Sequence, residues 1–245
     1  MTMRLSIVVP VHNENENLRP LIEEIGIAVG GMDHEIIYID DGSTDDTLAR
    51  LIDLKQDFPR LRVLHHRRCC GQSTALRTGI LAARGTVIAT LDGDGQNDPA
   101  NIPALMEAWR ELGQSGQAAL VAGYRRNRKD TGWRKFSSRF ANRIRAALLR
   151  DATPDTGCGL KVFDRDLFLA MPYFDHMHRF LPALAQRAGG TVVSVEVNHR
   201  PRTRGQSKYG TWHRLWVGIW DLLGVMWLRR RAHIPEVEEV AQASG

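Results

Sequence analysis

Apolar positions along the chain fall into short dense runs separated by stretches of a longer period. Five runs, "LSIVVPV" (5–11), "EIIYIDD" (35–41), "RLRVLHH" (60–66), "TVIATLD" (86–92) and "AALVAGY" (118–124), are nearly continuous in Val, Ile, Leu and Ala. Such content predicts parallel strands covered on both faces. Between the first two, Leu18, Leu21, Ile22, Ile25 and Val29 recur at helical spacing, with Asn15 or Asn17 as cap and Pro20 in the first turn. In "STDDTLARLIDL" Ser43 stands three residues before Asp46, a capping arrangement. Residues 72–84 are helical by period and stop at Gly85. This alternation predicts an open, doubly wound α/β sheet, in which ligands sit at the carboxyl ends of the strands.

After residue 125 the order changes to a basic, Trp-containing helical stretch (133–150), a strand in "GLKVF", a helix near 178–188 and a strand in "TVVSVEVNHRP". No internal repeat or low-complexity segment interrupts it. A chain of 245 residues can bury one full core, and 43% hydrophobic with 25% charged residues is ordinary globular composition.

Charge is unevenly spread. Residues 1–98 carry 10 Lys+Arg against 15 Asp+Glu, and residues 99–245 carry 23 against 13. The split predicts a metal or nucleotide end and a separate surface for anions, whether nucleic acid, phosphates or an anionic membrane. Cys69, Cys70 and Cys158 show no CxxC spacing and are expected as reduced thiols. The apolar run near the start is too short for a signal-peptide core, and no stretch reaches the roughly 18 apolar residues of a spanning helix. The expected location is therefore cytoplasmic.

The strand ends read "PVHNE", "DDGSTDD" and "LDGDGQNDP", all polar and acidic. Asp and Gly in loops commonly make turns and caps, and part of "DDGSTDD" is read that way. A calcium-binding helix–loop–helix is excluded for Asp92, Asp94 and Gln96, because Asn97 and Pro103 stand where such loops need Gly and Glu. In extended backbone Asp92 and Asp94 point the same way, and two close carboxylates are unfavourable unless they share a cation. Hard oxygen ligands suit Mg²⁺ or Mn²⁺, which can bridge a diphosphate leaving group. Gly93 and Gly95 let the backbone come close to a donor, Asp98 before Pro99 is expected to cap the next helix, and His65 and His66 are read as structural.

Seven segments in order, "SIVVPVHNENENL", "IIYIDDGSTDDT", "ATLDGDGQNDP", "AGYR", "WRKFSSRFAN", "DTGCGLKVF" and "HRPRTRGQSKYG", make residues 5–210 resemble the family 2 glycosyltransferases of GT-A fold. The dolichyl- and polyprenyl-phosphate sugar synthases, such as polyprenol phosphate mannosyltransferases, are the nearest in pattern. The resemblance implies a Rossmann-like domain over 1–210 and metal-dependent, inverting transfer from a nucleotide-diphosphate sugar, GDP- or UDP-linked, to a polyprenyl phosphate. It places Pro10, His12, Glu14, Ile39, Asp41, Gly93 and Arg125 at the donor, and Asp92, Asp94 and Gln96 at the metal and diphosphate. It places Arg134 and Ser138 at the acceptor phosphate, and Arg202 and Lys208 in a phosphate-binding loop. Helical i, i+4 spacing independently lets Arg134 and Ser138 converge on one phosphate.

Two departures qualify this. His12 and "DGDGQNDP" replace a tyrosine and "DADLQHPP" of the eukaryotic synthases, which bears on donor fit. "FDHMHRFLPAL" lacks the Glu-Asp pair that hydroxyl-acceptor members use as base. A phosphate acceptor, already anionic near neutral pH, needs no such base. The alternatives are transfer to a saccharide or glycolipid hydroxyl, with Asp175 as the candidate base, and a non-catalytic nucleic-acid or membrane module. The preferred reading assigns no nucleic-acid partner and leaves a homo-oligomer open.

"GTWHRLWVGIWDLLGVMWLRRR" holds four of the six tryptophans. Trp212, Trp216, Ile219, Trp220, Leu223 and Trp227 form one apolar stripe, followed by Arg229, Arg230 and Arg231. Packing on the sheet or on a partner would explain the stripe. Tryptophan with trailing arginines favours a helix over 211–232 lying in a membrane interface, at the cytoplasmic face of the inner membrane. The acidic tail 233–245 is expected to be mobile.

Overall fold

The structure is a computed structural model that describes residues 4–114, 116–125, 148, 149, 151, 153–201 and 211–235, with 211–217 as backbone only. The expected runs are strands: β1 Leu5–Val11, β2 His34–Asp40, β3 Leu61–His65, β4 Val87–Thr90 and β5 Ala119–Tyr124. Two later strands, β6 Lys161–Asp164 and β7 Thr191–Glu196, complete a seven-stranded sheet of order β3-β2-β1-β4-β6-β5-β7. All neighbours run parallel except β6, which is antiparallel to both β4 and β5. The doubly wound expectation therefore holds with one reversed strand. That reversal brings the start of β6, Lys161, to the end of the sheet where the parallel strands finish.

Alternation along each strand divides the core in two. Leu5, Ile7, Val9 and Val11 of β1 face one apolar layer with Ile36 and Tyr38 of β2, while Val8, Ile37 and Ile39 face the other. The first layer is covered by α1 Leu18–Val29, α2 Thr47–Asp57 and α4 Ile102–Gly113. The second is covered by α3 Gln72–Ala82, α5 Arg165–Leu169 and α6 Leu181–Arg187, with Val225 of α7 Thr211–Arg230 added at its margin. Apolar burial of roughly 1.5–3 kcal/mol per large side chain on both faces explains why the strands read as unbroken apolar runs.

Two local expectations are corrected. α2 begins at Thr47, and Ser43 does not cap it: the Ser43 hydroxyl accepts from the Asn13 N–H at 2.9 Å, and Asp45 Oδ1 accepts from the Thr47 N–H at 3.0 Å. Asn17 precedes α1 but its amide donates to Glu14 at 2.8 Å instead of capping. By contrast Asp98 caps the turn after β4, accepting from the Ala100 N–H at 3.1 Å.

At the sheet end remote from those loops, buried Glu35 ties three elements together. It accepts from Ser6 Oγ at 2.7 Å, the Arg84 N–H at 2.6 Å and Arg62 at 2.5 Å. Burial alone would raise its pKa, but these donors hold it below the ordinary glutamate value. A depressed folded-state pKa gives stability that is present above the unfolded-state value and lost as pH falls through the folded one. Glu35→Gln is therefore expected to cost about 2 kcal/mol near neutral pH, and the gap to wild type should close in acid, as measured by denaturant melts across pH.

Candidate active site

The carboxyl ends of β1 and β2 are stitched to each other by their own loops. Asn13, held at φ 57°, donates its side-chain amide to Thr44 at 3.1 Å and accepts from the Thr44 N–H at 2.7 Å. The Glu14 N–H donates to Thr47 Oγ1 at 3.0 Å, and His12 Nδ1 donates to the Asp41 carbonyl at 2.8 Å. Gly42 turns the chain at φ 67°, where a Cβ would lie 2.4 Å from the Arg68 backbone. Only glycine allows the β2 loop to sit this close to the segment after β3.

The paired acids of "DDGS" are fully engaged. Asp40 is buried and pairs with His65 Nδ1 at 2.7 Å. Asp41 accepts from His66 at 2.7 Å, from the Cys70 and Gly71 N–H groups at 2.9 and 2.8 Å, and from the Cys69 thiol at 3.3 Å. Burial pushes Asp41 up, yet these donors win and lower its pKa. Asp41, His66 and Cys70 each bring a ligand atom within 4.8 Å of the others, a grouping the sequence did not disclose. With four donors already on Asp41, and Thr78 on the far nitrogen of His66 at 3.0 Å, the network braces the loop. His65, expected as structural, pairs with Asp40, and His66, expected likewise, spans Asp41 and Thr78.

The end of β4 is different. Asp92 accepts from the Gln72 amide at 2.8 Å, and its own N–H donates to Asn97 at 2.9 Å. Burial and the adjacent Asp94 push its pKa up to about 6, against weaker opposing pulls from Lys161, Arg125 and Gln72. Asp94 is half-buried and accepts from the Gln96 N–H at 3.1 Å, which closes a turn. Gly93 packs where a Cβ would meet Val11 at 2.4 Å, so its absence of side chain serves strand packing at least as directly as a donor. Gly95 takes φ 73° in the turn.

Three expected contacts are redrawn. Ile39 is wholly buried, its side chain facing Gly79 of α3 in the core, so only its backbone borders the strand end. The Gln96 side-chain amide donates to the Arg200 carbonyl at 3.5 Å, while its backbone N–H donates to Asp94. The Arg125 guanidinium, expected at the donor, is clasped by Asp155 through Nε at 2.6 Å and Nη2 at 3.0 Å. Asp155 and Gln72 are polar contributors that sequence reasoning missed. Arg134, Ser138, Arg202 and Lys208 lie outside the described residues, as does most of the expected tail.

A loop at 173–180 closes one side. The Ser73 hydroxyl and His178 Nδ1 are 2.8 Å apart, and Thr74 Oγ1 and Tyr173 OH are also 2.8 Å apart, joining this loop to the start of α3 beside Gln72. His176, at φ 63°, reaches Asp221 of α7 at 3.4 Å. Asp175 is exposed and lies 3.6 Å from His176. On α7, Ile219, Trp220, Leu223 and Trp227 face outward, with Trp220 71% exposed, while Val225 is buried and Leu222 and Met226 pack inward. The described part of the predicted stripe is thus exposed, while the opposite face packs into the second core layer beside α6. The groove between α1 and α2, lined by Asn15, Arg19, Asp46 and Asp53, includes neither Asp92 nor Asp94. Charge, not that hollow, marks the site.

A carboxyl whose folded-state pKa is raised favours folding below the unfolded-state value, and that contribution is lost as pH rises through the folded value. For metal-free protein, Asp92→Asn is expected to raise the melting temperature above about pH 6 and to leave it unchanged below about pH 4, the ordinary aspartate value. Thermal melts in chelator across that range measure the effect.

The described fold resembles solved structures of glucosyl-3-phosphoglycerate synthase from Mycobacterium tuberculosis. One, in complex with phosphoglyceric acid, superposes with a TM-score of 0.66 at 22% identity, over 96% of this chain and 81% of that one. Another, with Mn²⁺, UDP-glucose and phosphoglyceric acid, gives 0.65. At that identity the likeness establishes the fold. Among curated proteins, dodecaprenyl-phosphate galacturonate synthase of Rhizobium johnstonii is 37% identical over 235 residues, 94% of this chain and 68% of the relative. Undecaprenyl-phosphate 4-deoxy-4-formamido-L-arabinose transferase of an Enterobacter species is 34% identical over 209 residues, 84% of this chain and 62% of the relative. The chain thus spans about two thirds of the length of these relatives. The description Glycosyl transferase family 2 matches residues 6–170, and on that match and these identities the chain belongs to glycosyl transferase family 2.

Proposed function

We propose that the strand-end site transfers a sugar, with inversion, from a nucleotide-diphosphate donor to a polyprenyl phosphate, giving a lipid-linked monosaccharide. The observation that carries the reading is the Asp92–Asp94 pair: two like charges at the end of β4, one raised to about 6 by burial and its neighbour. Hard carboxylate oxygens in that state fit Mg²⁺ or Mn²⁺. A bound divalent ion supplies neutralising charge for the departing diphosphate. Asp94 closes the turn with the Gln96 N–H, Asp92 is oriented by Gln72, and Gly159 leaves room behind Asp92, where a Cβ would fall 2.2 Å from Oδ2.

His12, Glu14 and Asp41 shape the donor side through their backbone and loop contacts. In this proposal Arg134 and Ser138 hold the acceptor phosphate, and Arg202 and Lys208 close over the donor phosphates. The acceptor class is supported by the names of both curated relatives, a dodecaprenyl and an undecaprenyl phosphate enzyme, which differ in the sugar. A phosphate nucleophile also suits the surroundings of Asp175, the candidate base for a hydroxyl acceptor, which is exposed beside His176.

The outward face of α7 is proposed to lie on a bilayer. Trp220 and Trp227 are 71% and 59% exposed, and Arg229 to Arg231 follow within a turn. Among the described residues no helix is long and apolar enough to cross a membrane. Interfacial contact would meet a lipid acceptor where that lipid resides.

Asp94→Asn is expected to lower turnover roughly 100-fold or more while the melting transition stays cooperative. The assay offers labelled GDP- and UDP-sugars, Mn²⁺ and polyprenyl phosphate, and counts label in the organic phase. Label confined to water-soluble acceptors would refute the lipid reading. Replacing Trp220 and Trp227 together by Ser should cut flotation with anionic vesicles roughly tenfold or more, leaving the fold intact.

A further inference from the structure

We propose that Arg200 is a positioning residue: together with the strap 197–200 it holds the acidic turn after β4 from outside, so that the turn is set before a cation binds. The inference deepens the shared-cation reading of Asp92 and Asp94 and rests on it for its functional meaning.

Between β4 and α4 the chain is shaped by short-range bonds. Asp94 accepts from the Gln96 N–H, the Asp92 N–H donates to Asn97, and Asp98 accepts from the Ala100 N–H. These bonds form the bends, but none of the three joins them to another element. The strap that follows β7 does so, although Arg200 and Asp98 lie 102 positions apart in the chain.

Asn97 and His199 form an antiparallel bridge, and the Arg200 N–H donates to the Gln96 carbonyl at 3.0 Å. The Gln96 side-chain amide returns a bond to the Arg200 carbonyl at 3.5 Å. The Asn198 N–H donates to Asn101 Oδ1 at 3.3 Å, and the Val197 N–H donates to the Tyr124 carbonyl of β5 at 3.0 Å. The strap is thus fastened to the sheet at one end and laid against residues 96–101 along its length.

The Arg200 guanidinium locks this arrangement. Nη2 donates to Asp98 Oδ1 at 2.7 Å, and Nη1 donates to Glu24 Oε2 of α1 at 2.7 Å. Asp98 Oδ1 is the same oxygen that caps the turn by accepting from Ala100. One side chain therefore joins α1, the capped turn and the strap, and its planar fork fixes direction as well as attraction. The side chain is 40% exposed, so water screens both pairs and their contribution to global stability is small. The effect is local: it narrows the shapes open to the loop that carries Asp94 and Gln96. A cation that meets a loop already narrowed has less to order on binding.

Full-length wild type, Arg200→Met and Arg19→Met are compared in chelator and during Mn²⁺ titration without donor. Arg19 is the matched control, also 40% exposed, with its acidic partners Glu23 and Asp57 on α1 and α2. Amide exchange at Gln96 and Ala100, both bonded within the turn, should quicken roughly tenfold in Arg200→Met and keep the wild-type rate in Arg19→Met. Mn²⁺ affinity, followed by loss of the free-ion paramagnetic resonance signal, should fall roughly five- to tenfold in Arg200→Met alone. The melting temperatures of the two variants should agree within about 3 °C. A residue serving only as a surface ion pair would move neither the exchange nor the affinity. Unchanged exchange or undiminished Mn²⁺ affinity in Arg200→Met overturns the proposal, as does an equal loss of affinity in Arg19→Met. If exchange quickens while wild type shows no Mn²⁺ binding that Asp94→Asn removes, the strap stands and the shared-cation reading of the site fails.

Discussion

Everything at the reactive end of this protein depends on one electrostatic difficulty: several carboxylates are gathered where parallel strands stop, close enough to the core that water screens them poorly. The two acidic strand ends resolve it in opposite ways. Asp40 and Asp41 are matched by imidazoles, a thiol and backbone N–H groups within their own loops, and Asp41 is stabilised as the anion. Asp92 has one neutral amide, a facing Asp94 and cations held at a distance, and its anion is disfavoured. A fully satisfied acid braces structure, whereas a partly satisfied one retains affinity for something that is absent from the chain. That difference, not the count of aspartates, underlies the proposal that Asp92 and Asp94 form the reaction centre.

The reversed strand is what makes this arrangement possible. Had β6 run parallel, its first residue would lie at the Glu35 end, and the turn that sets Gly159 against Asp92 would not reach it. Antiparallel pairing of Lys161 with Thr90 carries the "DTGCGLK" turn under the end of β4. The same pairing places Asp155 against Arg125 at the end of β5. One topological exception thus delivers two charged side chains and a glycine to a site otherwise built from parallel strand ends.

Legibility followed the range of the interactions. The five apolar runs and the helices between them were readable because burial on both faces leaves a local compositional trace, and Asp98 was readable as a cap because it bonds two residues on. Ser43 was misread as a cap because its hydroxyl is taken by Asn13, thirty residues back in the chain. Arg125 carried the right motif, but its partner Asp155 is thirty residues ahead, and no local spacing announces such a pair. Gln72 was hidden in an ordinary helical pattern, and Ile39 was placed at the donor by motif although alternation along β2 turns its side chain into the core. Motif order identified the family and the acids; only geometry showed which neighbours hold them.

The terminal helix is coupled to this centre by a short chain of contacts. Asp221 of α7 meets His176, whose left-handed backbone turns the 173–180 loop so that His178 and Tyr173 meet Ser73 and Thr74 at the start of α3. The residue just before Ser73 is Gln72, the amide that orients Asp92. At its far end α7 is fixed to α6, where Arg187 donates to the Leu228 carbonyl at 2.9 Å and Arg229 to Gln186 at 3.2 Å. A helix anchored at its middle by Asp221 and at its C-terminal end by Leu228 and Arg229 gives its exposed tryptophans a defined direction relative to the strand ends. In the proposed bilayer contact, a surface met by Trp220 and Trp227 would be held at a set angle to Asp92, as a reaction between a membrane-held acceptor and a water-borne donor would require.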